Sequence, residues 1–315
     1  MVTGLFISLL LGFFPGAHAS TQSYRSGCVV FQPGKILKTF PGSNCLFLPD
    51  GSFISASNTH LKRITTTGEV DWEIPGAFHH QMNLALDGES LFVMSSEVEK
   101  KVRSDKIQRV SLTGKILSET TSKDLIRQAN LKTNLFADSA TEDFQQISHF
   151  NSISEIPSLE GKGPPYLSRG NIIINSLRLG FFILSPDLKN ILHHQTISTS
   201  RDHSVHDVQV TKRGTILFFN NEMGGDSFRR SGIQELFPAS GKIVSVVDPG
   251  PYFYSPVAGS VQEIDDDKII FCHAYSGTYI YSRAQKKLIE TIPGSVGNRL
   301  NFKPVFEVKI FNEKR

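Results

Sequence analysis

The strongest constraint on how this chain folds is a short pattern that recurs along it. Each copy has an alternating strand, a turn of two or three residues, and a second strand rich in β-branched and aromatic residues. The copies read CLFLPDGSFISAS, MNLALDGESLFVMSS, VQVTKRGTILFFNN and VQEIDDDKIIFCHA. Their turns fall at Asp50-Gly51, Asp87-Gly88, Arg213-Gly214 and Asp266-Asp267. Because glycine readily adopts the positive φ of a tight turn, the pattern predicts β-hairpins.

A second hairpin follows most of the first ones. Its copies read HLKRITTTGEVDWEI, KIQRVSLTGKILSET, FFILSPDLKNILHHQ, IQELFPASGKIVSVV and TYIYSRAQKKLIETI. Two hairpins make a unit of four strands, which is the composition of a β-propeller blade. Five such units begin near residues 43, 79, 147, 205 and 258, and the third carries an inserted loop from Pro157 to Pro165.

The two ends of the chain supply the strands for one more unit. CVVFQPGKILKTF (28–40) has the pattern of an outer hairpin, and NRLNFKPVFEVKIF (298–311) has that of an inner hairpin. Pairing them would close a ring and remove the exposed sheet edges that invite aggregation. We therefore predict an all-β fold over residues 20–315, a six-bladed β-propeller closed by the N- and C-terminal segments. A seven-bladed ring or another β-rich fold is the alternative.

One segment has a helical pattern. SKDLIRQANLKT, from Ser122 to Thr133, is the only stretch with helical spacing of its apolar residues. Ser122 is the candidate N-cap, because its hydroxyl can accept a hydrogen bond from the first turn.

Residues 1–19 have the pattern of a secretory signal peptide. Leu5 to Phe14 is apolar, Pro15-Gly16 interrupts the run, and Ala17-His18-Ala19 has the small-x-small form that precedes cleavage. An uncleaved anchor is the alternative, but the apolar run is short for a membrane span. We predict a cleaved leader, a secreted or periplasmic protein, and no later membrane span.

Composition excludes several classes of function. The 315 residues carry a net charge of only +3, without runs of Lys and Arg interleaved with aromatics, so nucleic acid is not an expected partner. The chain has three cysteines, for which a Cys28–Cys45 disulfide with Cys272 unpaired and buried is one arrangement. Neither a Cys-x-x-Cys motif, a nucleotide-binding Gly-x-x-x-x-Gly-Lys motif nor a Gly-x-Ser-x-Gly elbow is present.

The hairpin turns also serve as a register for the inner strands. Counting eight residues back from the equivalent turn positions reaches His206, His80, Ser43 and Gly259. Small residues and histidines at one height fit a lined central channel better than a packed core. In the third unit, ISHFNSIS places His149 and Asn151 in a similar setting, and their spacing of two puts them on one face of a strand.

Three histidines at one channel are compatible with three chemistries. These are a metal site, nucleophilic catalysis with an acid–base partner, and anion binding. Each histidine could instead satisfy a buried backbone group. Arg178, in the apolar run NIIINSLRLGFFIL, favours an anion, because a buried arginine requires one as a partner. The alternative is a surface arginine at a strand end. Together, Arg178 and Asn151 would be donors to a sulfate or phosphate group.

Four segments carry a resemblance to a known family. HDVQVTKRGTILFFNNE, ISHFNSI, NIIINSLRLGFFIL and YSPVAGSVQEIDDDKIIF are similar to the aryl sulfotransferases of the bacterial periplasmic type, and the similarity runs from about residue 70 to 292. The resemblance implies a six-bladed propeller enzyme without a cofactor or metal. Its partners would be a small aryl sulfate and a phenol, and the sulfo group would pass from one to the other through a sulfated histidine.

The resemblance also assigns residues. His206 matches the family's nucleophile, His149 and Asn151 match its His-x-Asn, Arg178 matches its arginine, and His80 matches its earlier histidine. Asn151 and Arg178 would hold the sulfuryl charge, and His149 or His80 would exchange the proton with the phenols. The chain departs from the family at Ser231-Gly232, where Ser-Arg is usual, and at Gln81, where aspartate is common.

The remaining interpretations belong to other functional classes. A non-catalytic propeller could bind a small anion or a protein partner through the same channel. A metal-dependent hydrolase is the third hypothesis. The acidic run Asp265-Asp266-Asp267 predicts a solvated turn rather than a calcium loop, because no glycine-spaced ligand pattern follows it.

Overall fold

A computed structural model describes residues 20–24, 27–32, 35–40, 44–132, 145–160, 163–177, 179–197, 205–223, 230–248, 254–255, 259–273, 277–293 and 305–310. Within these ranges the chain is almost entirely β-structure, with one α-helix and one 3-10 helix. The strands form six sheets, called sheets 1 to 6 here, and successive strands within each sheet pair antiparallel. The all-β prediction is therefore confirmed.

Sheet 1 joins the two ends of the described chain. Its strands are β1 (Ser20–Tyr24), β2 (Gly27–Gln32), β3 (Lys35–Phe40) and β25 (Val305–Ile310). They lie in the order β25-β1-β2-β3. The outer hairpin expected over 28–40 is formed by β2 and β3. Of the inner hairpin expected over 298–311, residues 305–310 form β25, and the rest lies outside the described residues. The polar segment STQSY supplies a third N-terminal strand, because β1 pairs with β2 on one side and β25 on the other.

Sheets 2 to 4 follow chain order. Sheet 2 contains β4 (Asn44–Phe47), β5 (Phe53–Ala56), β6 (His60–Ile64) and β7 (Val70–Pro75). Sheet 3 contains β8 (Ala77–Leu84), β9 (Ser90–Glu99), β10 (Val102–Ser111) and β11 (Ile116–Thr121), with the short β12 (Gln145–Gln146) parallel to β10. Sheet 4 contains β13 (Phe150–Glu155), β14 (Ile172–Ser176), β15 (Gly180–Leu184) and β16 (Ile191–Gln195).

Sheets 5 and 6 repeat the same plan. Sheet 5 contains β17 (Val205–Val210), β18 (Ile216–Asn220), β19 (Gly232–Phe237) and β20 (Lys242–Val247). Sheet 6 contains β21 (Ser260–Glu263), β22 (Lys268–His273), β23 (Gly277–Ser282) and β24 (Lys287–Pro293). The first two strands of sheets 2, 3, 5 and 6 are joined by the four turns found in the sequence. Gly51, Gly88 and Gly214 have φ of 83°, 72° and 77°, so their turns require the conformational freedom of glycine.

The first strands of the sheets also pack against one another. Strand β8 contacts β4 and β13, and β17 contacts β13 and β21. Strand β25 contacts β21, and β1, its neighbour in sheet 1, contacts β4. These contacts therefore lead from sheet 1 through sheets 2, 3, 4, 5 and 6 in turn, and from sheet 6 back to sheet 1.

Apolar side chains fill the space between adjacent sheets. Between sheets 3 and 4 lies a cluster that includes Phe92, Phe150 and Phe182, and a second cluster around Phe218 joins sheets 4 and 5. Each buried phenylalanine contributes about 1.5–3 kcal/mol relative to an exposed one. The fourth strands carry exposed apolar residues such as Leu117, so the core lies towards the first three strands of each sheet.

The helix is shorter than expected and its cap is one residue earlier. Helix α1 spans Ser122–Gln128 and follows β11 directly. Thr121 is the N-cap, and its hydroxyl accepts a hydrogen bond of 3.1 Å from the amide of Asp124. The side chain of Ser122 is buried and bonds to Ser104 instead. The predicted cap at Ser122 is therefore wrong by one position, because its hydroxyl faces the sheet.

Other expectations concern the loop, the leader and the cysteines. The inserted loop after β13 contains a 3-10 helix, Pro165–Leu167. Cys45 is disulfide-bonded, whereas Cys272 is buried and outside any disulfide, as expected. The side chain of Cys28 and residues 1–19 lie outside the described part of the chain. In the described residues, no helix combines the length and apolar character required to cross a membrane.

Candidate active site

Irregularities interrupt the first strands of sheets 3, 4 and 5 at corresponding points. The pairing register shifts in β8, β13 and β17, and the residues outside the regular pairing include His80, Asn151 and Asp207. His80 and Asp207 have positive φ of 56° and 47°. Bulges re-aim side chains and are frequent near active sites. The position eight residues before the turn glycine is therefore His80, inside the bulge of β8, and His206, at the edge of the bulge of β17.

Three histidine rings contact one another in a row. His79 Nδ1 lies 2.6 Å from His80 Nδ1, and His80 Nε2 lies 3.1 Å from His149 Nε2. Adjacent rings meet edge to face, with centroids 4.8 Å apart in both pairs. His80, expected beside His149 from the sequence, therefore bonds to it directly across the contact between sheets 3 and 4.

A buried carboxylate lies at one end of this row. Asp105 on β10 is 0% exposed, and its Oδ1 lies 3.3 Å from His79 Nε2 and 3.2 Å from Arg103 Nε. Its Oδ2 accepts hydrogen bonds of 3.0 Å from the Ser148 hydroxyl and the Phe150 amide. Burial raises the pKa of Asp105, but the neighbouring His79, the charge of Arg103 and the hydrogen bond from the Phe150 amide lower it below the usual value.

Burial has the opposite consequence for the histidines. Desolvation lowers the pKa of His80 well below its usual value, and the nearby His149, His79, Arg103 and His206 lower it further by charge. The pKa of His79 is also lowered, mainly by burial, although Asp105 opposes the shift. Both imidazoles are therefore neutral near pH 7. Gln81 and Asp207, the residues that follow His80 and His206, bond to each other at 2.7 Å, so the two histidines lie in the same region of the molecule.

His206 is held by a chain of polar groups on sheet 5. Its Nδ1 lies 2.6 Å from Asn221 Oδ1, and Asn221 Nδ2 donates to the Ser255 carbonyl at 2.7 Å. Because a carbonyl can only accept, the amide nitrogen of Asn221 must face Ser255 and its oxygen must face His206. The proton of a neutral His206 therefore lies on Nδ1, and the lone pair lies on Nε2.

Asn151 contacts the backbone beside His206. Its Nδ2 donates to the Val205 carbonyl at 2.9 Å, and its Oδ1 accepts from Asn175 at 2.8 Å. Asn175 also donates to the Val205 carbonyl, at 2.7 Å. These bonds hold the start of β17 and therefore the backbone that carries His206. His149 precedes β13 and contacts His80, so the two residues expected on one strand face have different neighbours.

Asp207 joins three sheets through buried hydrogen bonds. Its Oδ1 accepts from Gln81 Nε2 at 2.7 Å and its Oδ2 accepts from the Val261 amide at 2.8 Å. Asp207 is 4% exposed, so its carboxylate is buried rather than solvated. Gln81 also accepts from the Ile153 amide at 2.9 Å. Gln81, at the position where the resembled family commonly has aspartate, therefore bonds to Asp207 on sheet 5.

Two residues of this site, Asp105 and Asn221, have no sequence pattern that marks them as functional. Asp105 lies within the alternating strand VRSDKIQRVS, and only its burial distinguishes it from a surface aspartate. Asn221 follows β18 in a polar pair, which is common at strand ends. Arg178 lies outside the described residues. Among the residues that the structure describes, no group of three or more His, Cys, Asp or Glu is arranged to hold a metal ion.

Acid is expected to weaken the fold through this cluster. The folded-state pKa values of His79 and His80 lie below the ordinary value of 6.5, so the unfolded chain binds more protons as the pH falls. Stability should be unaffected above that value and decrease below it, by at most about 1.4 kcal/mol per pH unit for each histidine. Urea unfolding at several pH values between 5 and 8 measures this slope.

The matched variants for the acid experiment are His80→Gln and His60→Gln. The first should reduce the acid slope, whatever it does to stability at pH 8. The second removes a histidine of β6 that bonds to Thr59, outside the cluster, and should retain the wild-type slope. An unchanged slope in His80→Gln would contradict a neutral, buried His80.

Comparisons with known proteins bear on the fold alone. No protein-family model matches this chain, and no curated protein matches it. A crystal structure of a protein of unknown function from Bacteroides caccae superposes with a TM-score of 0.59 at 13% identity, covering 92% of this chain and 100% of that chain. Sqt1 from Saccharomyces cerevisiae covers 94% of this chain and 92% of its own, with a TM-score of 0.49 and 10% identity. The chain is thus similar in fold to the Bacteroides protein.

Proposed function

We propose that the six sheets are the blades of a six-bladed β-propeller. Their first strands contact one another in an order that returns to its start, and both ends of the described chain lie in sheet 1. This arrangement supports closure by the termini, which leaves no sheet without a neighbour. His80, His149 and His206 would then line the central channel, where propellers commonly bind ligands.

We propose that the protein transfers a sulfo group from an aryl sulfate to a phenol. The observation that carries this proposal is the contact of His80 with His149 near His206, whose Nδ1 proton is held by Asn221. A neutral imidazole with its lone pair on Nε2 is a nucleophile, and a second imidazole nearby supplies the acid and base.

The first half of the reaction would form a sulfohistidine. His206 Nε2 attacks sulfur, the new N–S bond forms, and the bond from sulfur to the aryl oxygen breaks. The departing phenolate takes a proton from an imidazolium at His149 or His80, which gains that proton when the anionic donor binds. The Asn221 oxygen stabilises the positive charge that develops on the imidazole of His206, because it accepts the Nδ1 proton throughout.

The second half would return the protein to its starting state. The hydroxyl of the acceptor phenol loses its proton to His149 or His80 and attacks sulfur. The O–S bond forms, the N–S bond breaks, and His206 regains its lone pair. By the resemblance, Arg178 and Asn151 would stabilise the sulfuryl oxygens in both steps. No cofactor takes part in this scheme.

A second candidate is a non-catalytic channel that binds a small anion or a protein partner. This candidate is favoured because one amide hydrogen of Asn151 bonds to the Val205 carbonyl. A side chain that was predicted to donate to the sulfuryl oxygens is therefore partly engaged in holding the backbone. A metal-dependent hydrolase is the third hypothesis. It predicts stoichiometric zinc, copper or iron in the purified protein, which elemental analysis measures.

We also propose that the protein is exported. A disulfide at Cys45 supports an oxidising compartment, because cytosolic thiols are kept reduced. This agrees with the leader predicted for residues 1–19 and with a secreted or periplasmic location.

Turnover with two substrates tests the proposed activity. A coloured phenol should leave an aryl sulfate only when a second phenol is present, and that phenol should appear as its sulfate ester. Initial rates over both concentrations should give parallel reciprocal plots, as expected for a covalent intermediate. Binding of aryl sulfates without turnover, over a range of donors and acceptors, would favour the binding module.

A further inference from the structure

The row of Asp105, His79, His80 and His149, called the histidine row here, has a direction. Consecutive members lie 3.3, 2.6 and 3.1 Å apart, through His79 Nε2, the two Nδ1 atoms, and the Nε2 atoms of His80 and His149. In a neutral imidazole one nitrogen donates and the other accepts. A row of such rings must therefore point one way or the other.

Asp105 decides which way the row points. An ionised carboxylate only accepts, and its lowered pKa keeps Asp105 ionised at neutral pH. The proton of His79 is therefore held on Nε2, which leaves a lone pair on Nδ1. His80 must then donate from Nδ1 and accept on Nε2, where His149 donates. Each ring inherits its tautomer from the one before it.

We propose that Asp105 is a positioning residue, which fixes the tautomers of His79, His80 and His149 and makes the histidine row a store for one proton. The tautomer order rests on the contacts of the row and on an ionised Asp105, whereas the use of the stored proton rests on the proposed sulfo transfer. Asp105 does not contact the reacting atoms and acts through the three rings.

One proton can move along the row while every hydrogen bond between neighbouring rings is kept, with its direction reversed. The proton lost by the phenol is passed to Nδ1 of His149, which is buried, and the Nε2 proton of His149 passes to His80 Nε2. The Nδ1 proton of His80 then passes to His79 Nδ1. The added charge ends on His79, 3.3 Å from the Asp105 carboxylate. The reverse movement delivers a proton to the departing phenolate, so one proton serves both halves of the cycle.

Because of the charged groups around it, the histidine row holds an extra proton only when an anion is bound nearby. Arg103 lies beside Asp105, and its positive charge opposes a second positive charge on the row. Burial opposes it as well, and it keeps His79 and His80 neutral at rest. A bound aryl sulfate supplies a negative charge nearby, which should draw one proton into the row. Substrate binding and proton uptake are therefore linked.

The test is nitrogen NMR of the full-length protein labelled with ¹⁵N-histidine. Protonated and lone-pair ring nitrogens differ widely in chemical shift, so each tautomer is read directly. We expect protons on Nε2 of His79, Nδ1 of His80 and Nε2 of His149 at pH 8. Any other set of tautomers in the wild-type protein overturns the proposal, and this measurement requires neither a variant nor an activity assay.

Asp105→Asn should reverse the row. The Phe150 amide can only donate, so the oxygen of the new side chain must face it. The new NH₂ group then faces His79 Nε2 and the Nε–H of Arg103, which must turn away because it can only donate. The NH₂ group donates to His79 Nε2, which moves the His79 proton to Nδ1. His80 becomes protonated on Nε2 and His149 on Nδ1. Ser148→Ala is the matched control, because it removes one bond to Asp105 and leaves the carboxylate in place.

Kinetics separate this proposal from the proposed function. Asp105→Asn should lower kcat for aryl sulfates by about 10²-fold or more, with a smaller change in KM. Ser148→Ala should retain kcat within a few fold. An active Asp105→Asn with unchanged kcat overturns the proton store. A wild-type protein with the expected tautomers but no turnover refutes sulfo transfer and leaves the positioning role of Asp105 intact.

Discussion

His206→Asn is expected to abolish sulfo transfer while leaving the fold in place. The asparagine amide can replace the Nδ1 donor that bonds to Asn221 at 2.6 Å, but it has no equivalent of the Nε2 lone pair. Loss of a nucleophile that forms a covalent intermediate should lower kcat by at least about 10³-fold. Acceptor-dependent release of a coloured phenol measures the effect.

The intermediate gives this prediction a second measurement. The wild-type protein, mixed with a ³⁵S-labelled aryl sulfate in the absence of an acceptor, should retain label in a bond stable to base and labile to acid. Peptide mapping should assign the label to His206. His60→Asn, on β6 of sheet 2, is the control and should be labelled normally. Label on another residue, or turnover by His206→Asn, would refute the assigned nucleophile.

Asp207→Ala should produce the largest loss of stability at the site. It leaves Gln81 Nε2 and the Val261 amide without their acceptor at 2.7 and 2.8 Å, and each buried, unsatisfied donor costs about 1–3 kcal/mol. Alanine also tolerates the φ of 47° less well than aspartate, by about 1 kcal/mol. Removal of a buried charge offsets part of this. We expect a net loss of about 3 kcal/mol in urea unfolding.

Two further variants separate the causes. Asp207→Asn retains one accepting oxygen and the tolerance of positive φ, so it should lose about half as much. Asp266→Ala removes an exposed aspartate from the turn between β21 and β22 and should change stability by less than about 0.5 kcal/mol. Equal stability of Asp207→Ala and Asp266→Ala would show that the bonds of Asp207 do not hold the sheets together.

Local features of the fold were accessible from the sequence because they depend on neighbouring residues. A glycine at Gly51, Gly88 or Gly214 marks a turn whatever the rest of the chain does, and alternation on either side marks the strands. The four-stranded units follow from these hairpins, and five of them begin within a few residues of the expected positions. The misplaced helix cap and the extra strand β1 are errors of one or a few residues, at polar segments with weak patterns.

The candidate site was only partly accessible in this way. The turn register led to His80 and His206, and the spacing in ISHFNSIS led to His149, because these residues keep a constant distance from a local signal. The direct bond between His80 and His149 was not predictable from spacing, since it depends on how two sheets pack. The bulge that gives His80 its positive φ likewise has no signal in the strand pattern.

The sequence by itself determined the all-β class, the hairpin repeat and three of the histidines, since each is written in short-range periodicity and turn chemistry. Only the tertiary structure decided which groups set their protonation. Asp105 on β10 reaches His79 on β8, with β9 between their strands in sheet 3, and Gln81 reaches Asp207 across 126 positions of the chain. Desolvation and partner geometry determine whether an aspartate is a solvated turn or a buried anchor, and both arise only when the sheets pack together.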